Sequence, residues 1–160
     1  MEQLKVDCHF AVFESPQELP KKVQKLIQLA KEAREKAYAP YSNFLVGAAL
    51  ELENGELIYG NNQENAAYPS GLCAERTAIF YAGSKWPNQR ILRMAIIAGA
   101  DHKITTKPIP PCGSCRQALI EYEQKQQSPI ELYFMGMKGE VILSKSVENI
   151  LPWVFDRNML

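Results

Sequence analysis

Segments with strand periodicity alternate with segments of helical periodicity along the chain. Apolar residues recur at helical spacing over 20–38, 72–83 and 112–124, and extended apolar segments occupy 44–52, 56–61, 91–99, 130–135 and 141–143. Strands that alternate with helices predict a sheet covered by helices on its faces. Two turns, Asn54-Gly55 and Lys138-Gly139, suggest hairpins and argue against a purely parallel sheet. We therefore expect an α/β fold, a three-layer α/β/α sandwich with a central mixed sheet of about five strands.

The first 19 residues lack such periodicity and are interrupted by Pro16. They predict an irregular N-terminal arm over residues 1–19. The remainder is of a size that suits one hydrophobic core. We therefore expect a single domain over residues 20–160, whose first helix begins with Pro20 in its first turn.

The charge balance narrows the class of ligand. The chain has 18 basic and 18 acidic residues, whereas proteins that grip a nucleic-acid backbone carry a surplus of Lys and Arg. A small neutral ligand is favoured over a polymer. The apolar runs fall well short of the roughly 20 residues that a membrane span needs, and residues 1–10 contain no apolar signal region. We expect a cytoplasmic protein, where thiols stay reduced, with neither membrane nor nucleic acid as a partner.

Three of the four cysteines lie at predicted helix starts. Cys73 begins the second helix, while Cys112 and Cys115 lie in the first turn of the third, where residues three apart are neighbours. Helix N-termini present partial positive charge and free N–H groups, which stabilise thiolates. Three thiolates predict one Zn²⁺ per chain with its fourth position open to water. Cys8 lies in the arm and is interpreted as a free thiol.

Two residues beside Cys73 add chemistry to this metal site. Glu75 can flank the metal-bound water and act first as general base and then as general acid. Arg76 is a candidate to hydrogen-bond the sulfurs and withdraw charge from them. The pattern resembles the zinc deaminase signature His-x-Glu…Pro-Cys-x-x-Cys with its three-cysteine variant, in which a non-ligand Glu assists attack on C4 of cytosine.

Further segments resemble the small, homotetrameric type of cytidine deaminase over about residues 22–155. In chain order they are APYSNF (39–44), VGAA (46–49), NQENA (62–66), YP (68–69), CAERTA (73–78), PCGSCRQ (111–117), LP (151–152) and Phe155. Several motifs in the right order are more specific than Pro-Cys-x-x-Cys alone. The resemblance implies that the domain over 20–160 hydrolyses cytidine and deoxycytidine to uridine and deoxyuridine plus ammonia, in pyrimidine salvage.

The resemblance also implies residues that bind the base and the sugar. Phe44 would pack against the pyrimidine, and Asn62 and Glu64 would hydrogen-bond the ribose 3′-hydroxyl. The backbone at Ala66 and Ala74 would read the edge of the base. Glu64 would repel a 5′-phosphate, which favours a nucleoside over a nucleotide as substrate.

Two further aromatic residues are implied at sites shared between subunits. Tyr68 and Phe155 would reach these shared sites, with Phe155 stacking near the base. The resemblance thus implies a homotetramer whose active sites depend on assembly. It also implies that Glu75 contacts N3 of the pyrimidine.

Several other functions fit parts of the pattern. A deaminase of a modified cytosine nucleoside such as blasticidin S shares the zinc motifs, but segments 44–47 and 62–65 favour plain cytidine. A deaminase that edits polynucleotides would show His in place of Cys73 and a basic groove. A redox dithiol at Cys112 and Cys115 would leave Cys73 without a purpose. A non-catalytic, zinc-stabilised binding module would need a fourth protein ligand, for which Cys8 is the candidate.

Overall fold

The computed structural model describes residues 1–160. The chain forms three helices and six strands. The helices are α1 (Lys21–Arg34), α2 (Ala74–Lys85) and α3 (Gly113–Gln126), and the strands are β1 (Ala11–Phe13), β2 (Phe44–Leu52), β3 (Leu57–Asn61), β4 (Ile91–Ala100), β5 (Glu131–Met135) and β6 (Val141–Ser144). None of the three helices has the length and apolar character that a membrane span requires.

The strands form one mixed sheet in the order β1-β6-β5-β4-β2-β3. Strands β4 and β5 are parallel and are connected through α3, whereas every other neighbouring pair is antiparallel. The two predicted hairpins are β2–β3 and β5–β6. Their turns contain Gly55 and Gly139 at φ of 86° and 94°, the left-handed region that glycine enters without a steric penalty.

The sheet has six strands rather than the predicted five because the N-terminal arm contributes one. Residues 11–13, assigned above to an irregular arm, pair with β6 through Ala11–Leu143, Val12–Ile142 and Phe13–Val141. An edge strand of three residues is too short for an alternating pattern to be recognised. Its pairing is set by a partner strand far away along the chain.

Two apolar clusters on opposite faces of the sheet confirm the three-layer sandwich. In β4, Met94 and Ile96 pack in the cluster that contains α2 and α3, while Ala95 and Ile97 pack in the cluster that contains α1. A strand buried on both faces reads as a continuous apolar run, and in β4 this run covers residues 94–100.

Helix α2 approaches β3 closely near its start. A Cβ placed on Gly60 would lie 2.7 Å from the carbonyl oxygen of Ala74 and 2.7 Å from the backbone nitrogen of Ala78. Only glycine allows this approach. The close contact fixes the position of the first turn of α2, directly after Cys73.

Candidate metal centre and substrate cleft

The three predicted cysteines converge where α2 and α3 begin. Cys73 and Cys112 are the residues that precede the two helices, and Cys115 lies in the first turn of α3. Their sulfurs are 4.0 Å apart for Cys73–Cys112 and 3.5 Å for Cys112–Cys115, and all three lie within 4.8 Å of one another. Tetrahedral zinc with Zn–S bonds of about 2.3 Å holds its sulfurs about 3.8 Å apart. The donor set and its spacing therefore fit zinc.

The cluster contains three candidate metal ligands and no fourth. Cys8 is exposed and does not belong to the group of sulfurs. Cys115 is buried, Cys73 is half-buried and Cys112 is exposed, so the cluster is open on one side. Three ligands with an open side are typical of catalytic rather than structural zinc sites.

Both helix starts direct positive charge toward the sulfurs. The N–H of Thr77 donates to the carbonyl of Cys73, and the N–H of Arg116 donates to the carbonyl of Cys112, each at 3.0 Å. Helical bonding thus begins at the two cysteines, and the amides of each first turn have no partner within their helix. These amides carry the positive end of the helix dipole, which favours thiolates at this place.

The thiols differ in acidity within the cluster. The neighbouring Cys115 thiol and Arg76 lower the pKa of Cys73. The neighbouring Cys73 thiol and burial raise the pKa of Cys115. Nη2 of Arg76 donates to Sγ of Cys73 at 3.5 Å, and this bond raises the pKa of Arg76. Arg76 therefore places positive charge directly beside the sulfur of Cys73.

Glu75 lies beside the cluster in a dry environment. Its side chain is 4 % exposed, and burial raises the pKa of its carboxyl group, with the negative charge of Cys73 as a smaller contribution. A carboxyl group with a raised pKa can both take and return a proton near neutral pH. The position of Glu75, two residues after Cys73, thus provides an acid–base group next to the sulfurs.

A cleft of about 490 Å³ opens beside Cys73. Cys73 and Arg76 line it together with three residues predicted to bind substrate, which are Asn62, Glu64 and Tyr68. Its volume suits a small ligand. The structure therefore brings part of the predicted sugar-binding set to the same cleft as one of the metal-ligand candidates.

Asn62 and Glu64 also hold the chain that leads into β2. Oδ1 of Asn62 accepts from the N–H of Val46 at 2.8 Å, and its Nδ2 donates to the carbonyl of Phe44 at 2.9 Å. Glu64 accepts from the hydroxyl of Ser42 at 2.5 Å, and this bond lowers the pKa of its carboxyl group. Each side chain keeps further donor or acceptor capacity. Both can bind a ligand while they position the wall of the cleft.

Four of the seven residues predicted to bind substrate do not line this cleft, and neither does Glu75. Phe44 is half-buried at the start of β2, Ala66 is exposed, and Ala74 is fully buried as the first residue of α2. Phe155 is 60 % exposed, and its carbonyl accepts from Nε2 of Gln117 on α3 at 2.9 Å. Within one chain, Phe155 therefore lies apart from the cleft.

Some cleft residues received no substrate role from the sequence. Tyr41 and Ser42 line the cleft, and the ring of Tyr41 meets that of Tyr68 edge to face, with 6.0 Å between centroids. Both belong to the segment APYSNF, so their motif was visible. Their position beside Glu64 depends on a contact between residues 23 positions apart, which the spacing does not reveal.

The fold and the site together define a class of protein. Helices on both faces of a mixed sheet bring three thiols and a buried glutamate together at two helix starts, as in the zinc deaminases. Residues 20–128 match the family model described as the cytidine and deoxycytidylate deaminase zinc-binding region. The chain belongs to this family. Its cofactor is zinc, in keeping with the thiol cluster.

Individual relatives agree with the family match. The chain is 41 % identical over 138 residues to a cytidine deaminase of Sporosarcina psychrophila, which covers 86 % of this chain and 94 % of the relative. It is 41 % identical over 132 residues to a cytidine deaminase of Halalkalibacterium halodurans, covering 82 % and 92 %. Among solved structures, a cytidine deaminase from Burkholderia pseudomallei is similar with a TM-score of 0.71 and 41 % identity, covering 86 % of this chain and 100 % of that one.

Proposed function

We propose that the chain catalyses the hydrolytic deamination of cytidine and deoxycytidine to uridine and deoxyuridine, with release of ammonia. The observation that carries the proposal is the buried Glu75 beside three sulfurs that are spaced for zinc. The family match and the relatives named cytidine deaminase support cytosine nucleosides as the substrate class.

Cys73, Cys112 and Cys115 would hold the zinc ion. When bound, zinc supplies Lewis acidity that lowers the pKa of a water molecule to ~7. Glu75 takes a proton from the attacking water and delivers it to N3 of the pyrimidine, after which C4 carries both a hydroxyl and an amino group. Glu75 then takes the proton of this hydroxyl and passes it to the amino nitrogen. The C4–N bond breaks, ammonia leaves, and C4 becomes the carbonyl carbon of the uracil ring. The raised pKa of the Glu75 carboxyl group suits this double role.

Arg76 would moderate the charge of the metal site. Three thiolates around one Zn²⁺ leave a net negative charge, which opposes the acidity of water there. The hydrogen bond from Arg76 to Sγ of Cys73 withdraws electron density from that sulfur. We therefore assign Arg76 a supporting role that acts through Cys73.

The nucleoside would bind in the cleft beside Cys73. Asn62 and Glu64 would hydrogen-bond the ribose 3′-hydroxyl, and the negative charge of Glu64 would disfavour a 5′-phosphate. Phe44 would pack against the pyrimidine, while the backbone at Ala66 and Ala74 would contact the base edge. The unused donor and acceptor capacity of Asn62 and Glu64 supports their part of this arrangement.

The active protein would be a homotetramer with shared active sites. Tyr68 and Phe155 are 75 % and 60 % exposed, and Phe155 lies outside the cleft of its own chain. Exposed aromatic side chains of this kind are typical of interfaces. Specific activity measured during sedimentation should therefore fall as the assembly dissociates on dilution. Full activity in a dilute monomer would contradict shared sites.

The enzyme would serve pyrimidine salvage in the cytoplasm. A site made of three thiolates requires reduced cysteines, which that compartment maintains. Free nucleosides arise there from nucleotide turnover, and deamination converts the cytosine nucleosides into uracil nucleosides.

The test is an ultraviolet assay of cytidine turnover with wild type and Glu75→Gln, in parallel with metal analysis. We expect wild-type turnover, and a loss of about 10²–10⁴-fold in the variant with zinc retained, since general acid–base catalysis contributes about that much. Glu121→Gln, an exposed glutamate on α3, serves as the matched control and should keep wild-type activity. Equal turnover by Glu75→Gln would refute the proton-transfer role, and an inactive wild type would refute the function.

A further inference from the structure

The N-terminal arm is docked on the molecule close to the loop that carries Cys112. Strand β1 pairs with β6 at the sheet edge. Just before it, the ring of Phe10 contacts the ring of Phe134 edge to face, with 6.4 Å between centroids. Phe134 is 4 % exposed and belongs to the apolar cluster beneath α2 and α3. The arm is thus anchored on the same side of the sheet as the sulfurs.

A reciprocal pair of hydrogen bonds links the arm to the chain that follows β6. The N–H of His9 donates to Oδ1 of Asn149 at 2.8 Å, and Nδ2 of Asn149 donates to the carbonyl of His9 at 2.9 Å. Asn149 lies within a 3₁₀ helix of one turn, Glu148–Ile150. The arm therefore holds the residue that precedes Ile150.

Arg116 connects this turn to the metal-site loop. Its Nη1 donates to the carbonyl of Ile150, and its Nε donates to the carbonyl of Pro111, each at 2.9 Å. Pro111 is buried, whereas the next residue, Cys112, is exposed. The position of Cys112 therefore depends on how firmly the backbone at Pro111 is held.

A cavity of about 290 Å³ lies where these elements meet. It is lined by Cys8 and Phe10 of the arm, by Pro108 and Pro110 of the loop, and by Arg116. The arm, the loop and Arg116 therefore line the same cavity, and they are also connected by the hydrogen bonds described above. Movement of the arm would change the packing around the loop.

We propose that Phe10, Asn149 and Arg116 form a clamp through which the N-terminal arm holds the Pro111–Cys112 segment and slows the loss of zinc. Arg116 is a positioning residue in this clamp, because it acts on Cys112 through the backbone of Pro111. The proposal rests on the ligand set proposed above. Groups that orient metal ligands typically change metal affinity 10–100-fold when they are removed.

The arm lies outside the part of the chain that carries the family match, residues 20–128. The clamp therefore adds to the family domain a support for the metal site that comes from the arm of this chain. Its effect should appear in the kinetics of zinc release. The ligand set itself is unchanged by it.

The experiment measures the rate of zinc release from the full-length, zinc-loaded protein into an excess of a colorimetric chelator. We expect Arg116→Gln to release zinc roughly tenfold faster than wild type. Phe10→Ala and Asn149→Ala should also accelerate release, by smaller factors, because they loosen the clamp at a distance. Arg90→Gln removes an exposed arginine paired with Glu53, and should leave the rate unchanged.

A double variant tests whether the arm acts through the arginine. If the arm affects the metal site only through Arg116, the double variant Asn149→Ala, Arg116→Gln should release zinc no faster than Arg116→Gln alone. The visible spectrum of the Co²⁺-loaded protein should change in Arg116→Gln and stay as in wild type in Arg90→Gln, since it reports ligand geometry.

Wild-type release rates in Phe10→Ala and Asn149→Ala would overturn the clamp, as would fully additive effects in the double variant. Should Arg116→Gln fail to fold, these two milder variants still decide the question. A wild-type protein that binds no zinc would contradict the proposed ligand set instead, so the two failures are distinguishable.

Discussion

Helices α2 and α3 each bring cysteine to their first turn, but they are held in place by different means. The start of α2 rests against Gly60 of β3 through close backbone contact. At the start of α3 the glycine lies in open space, since a Cβ on Gly113 would meet nothing within 4 Å. Side chains hold α3 instead: Arg116 near its beginning, and Glu123 toward its end, which accepts three backbone N–H groups.

The two arginines of the site show the same division. Arg76 lies three residues after Cys73 and donates to the sulfur itself, so its effect is on charge. Arg116 lies four residues after Cys112 and donates to backbone carbonyls, so its effect is on position. Similar places on two helices thus serve electrostatics in one case and geometry in the other. Substitutions on the two helices should therefore fail in different ways.

Among the substitutions that distinguish the roles of α2 and α3, the replacement of Arg76 should have the largest effect. Arg76→Gln removes the positive charge beside Cys73, and we expect a fall in kcat of about 10- to 100-fold. The thermal midpoint of the zinc-loaded protein should change little, because Arg76 is not part of the apolar core. Steady-state kinetics and thermal unfolding together check this. An unchanged kcat would contradict the charge-balancing role of Arg76. The proposed difference between the electrostatic role of Arg76 and the positional role of Arg116 would then not hold.

Replacing Gly60 should test the packing that holds α2. In Gly60→Ala, the new methyl group would lie 2.7 Å from backbone atoms of Ala74 and Ala78, which cannot rotate away as a side chain can. We expect a loss of about 2 kcal/mol in the free energy of unfolding. Activity should fall as well, because a shift of α2 moves Cys73. Denaturant unfolding measures the first effect, and full stability in this variant would show that the helix yields easily.

Replacing Glu123 should test the side-chain anchor of α3. The carboxylate of Glu123 accepts from the N–H groups of Ile130, Val147 and Glu148 at 2.7 to 3.0 Å and is buried. Glu123→Gln leaves one acceptor oxygen and turns the N–H groups of the new amide toward backbone N–H groups. We therefore expect the free energy of unfolding to fall by about 1.5 kcal/mol. Denaturant unfolding checks this, with the exposed Glu121→Gln as control. Equal stability of the two variants would contradict the anchor.

Local patterns predicted most of this architecture. The largely apolar segment 91–99 and the two glycine turns predicted the mixed sheet, because burial on both faces and left-handed turns are properties of short segments. The positions of Cys73 and Cys112 at helix starts were visible for the same reason. The convergence of the two helix starts followed from the chemistry of the cysteines rather than from periodicity.

Long-range contacts account for what the sequence did not predict. Helix α1 ends at Arg34, earlier than the predicted end at residue 38, because Tyr38 leaves the helix to pair with Gln63. Strand β1 exists only through its pairing with β6. Arg116 acquires its role from Ile150, which is 34 residues away. None of these partners is encoded in the neighbourhood of the residue itself.

Replacing Gly113 should have the smallest effect of these substitutions, because the start of α3 has open space where the start of α2 is closely packed. Its backbone does not have a positive φ, and the space around its Cβ position is open. Gly113→Ala should therefore change the free energy of unfolding by less than about 0.5 kcal/mol, and zinc content should stay at the wild-type level. Thermal unfolding and metal analysis measure both. If this variant instead lost activity or assembly, the open side of α3 would be in contact with substrate or another subunit, and α3, like α2, would depend on close packing at its start.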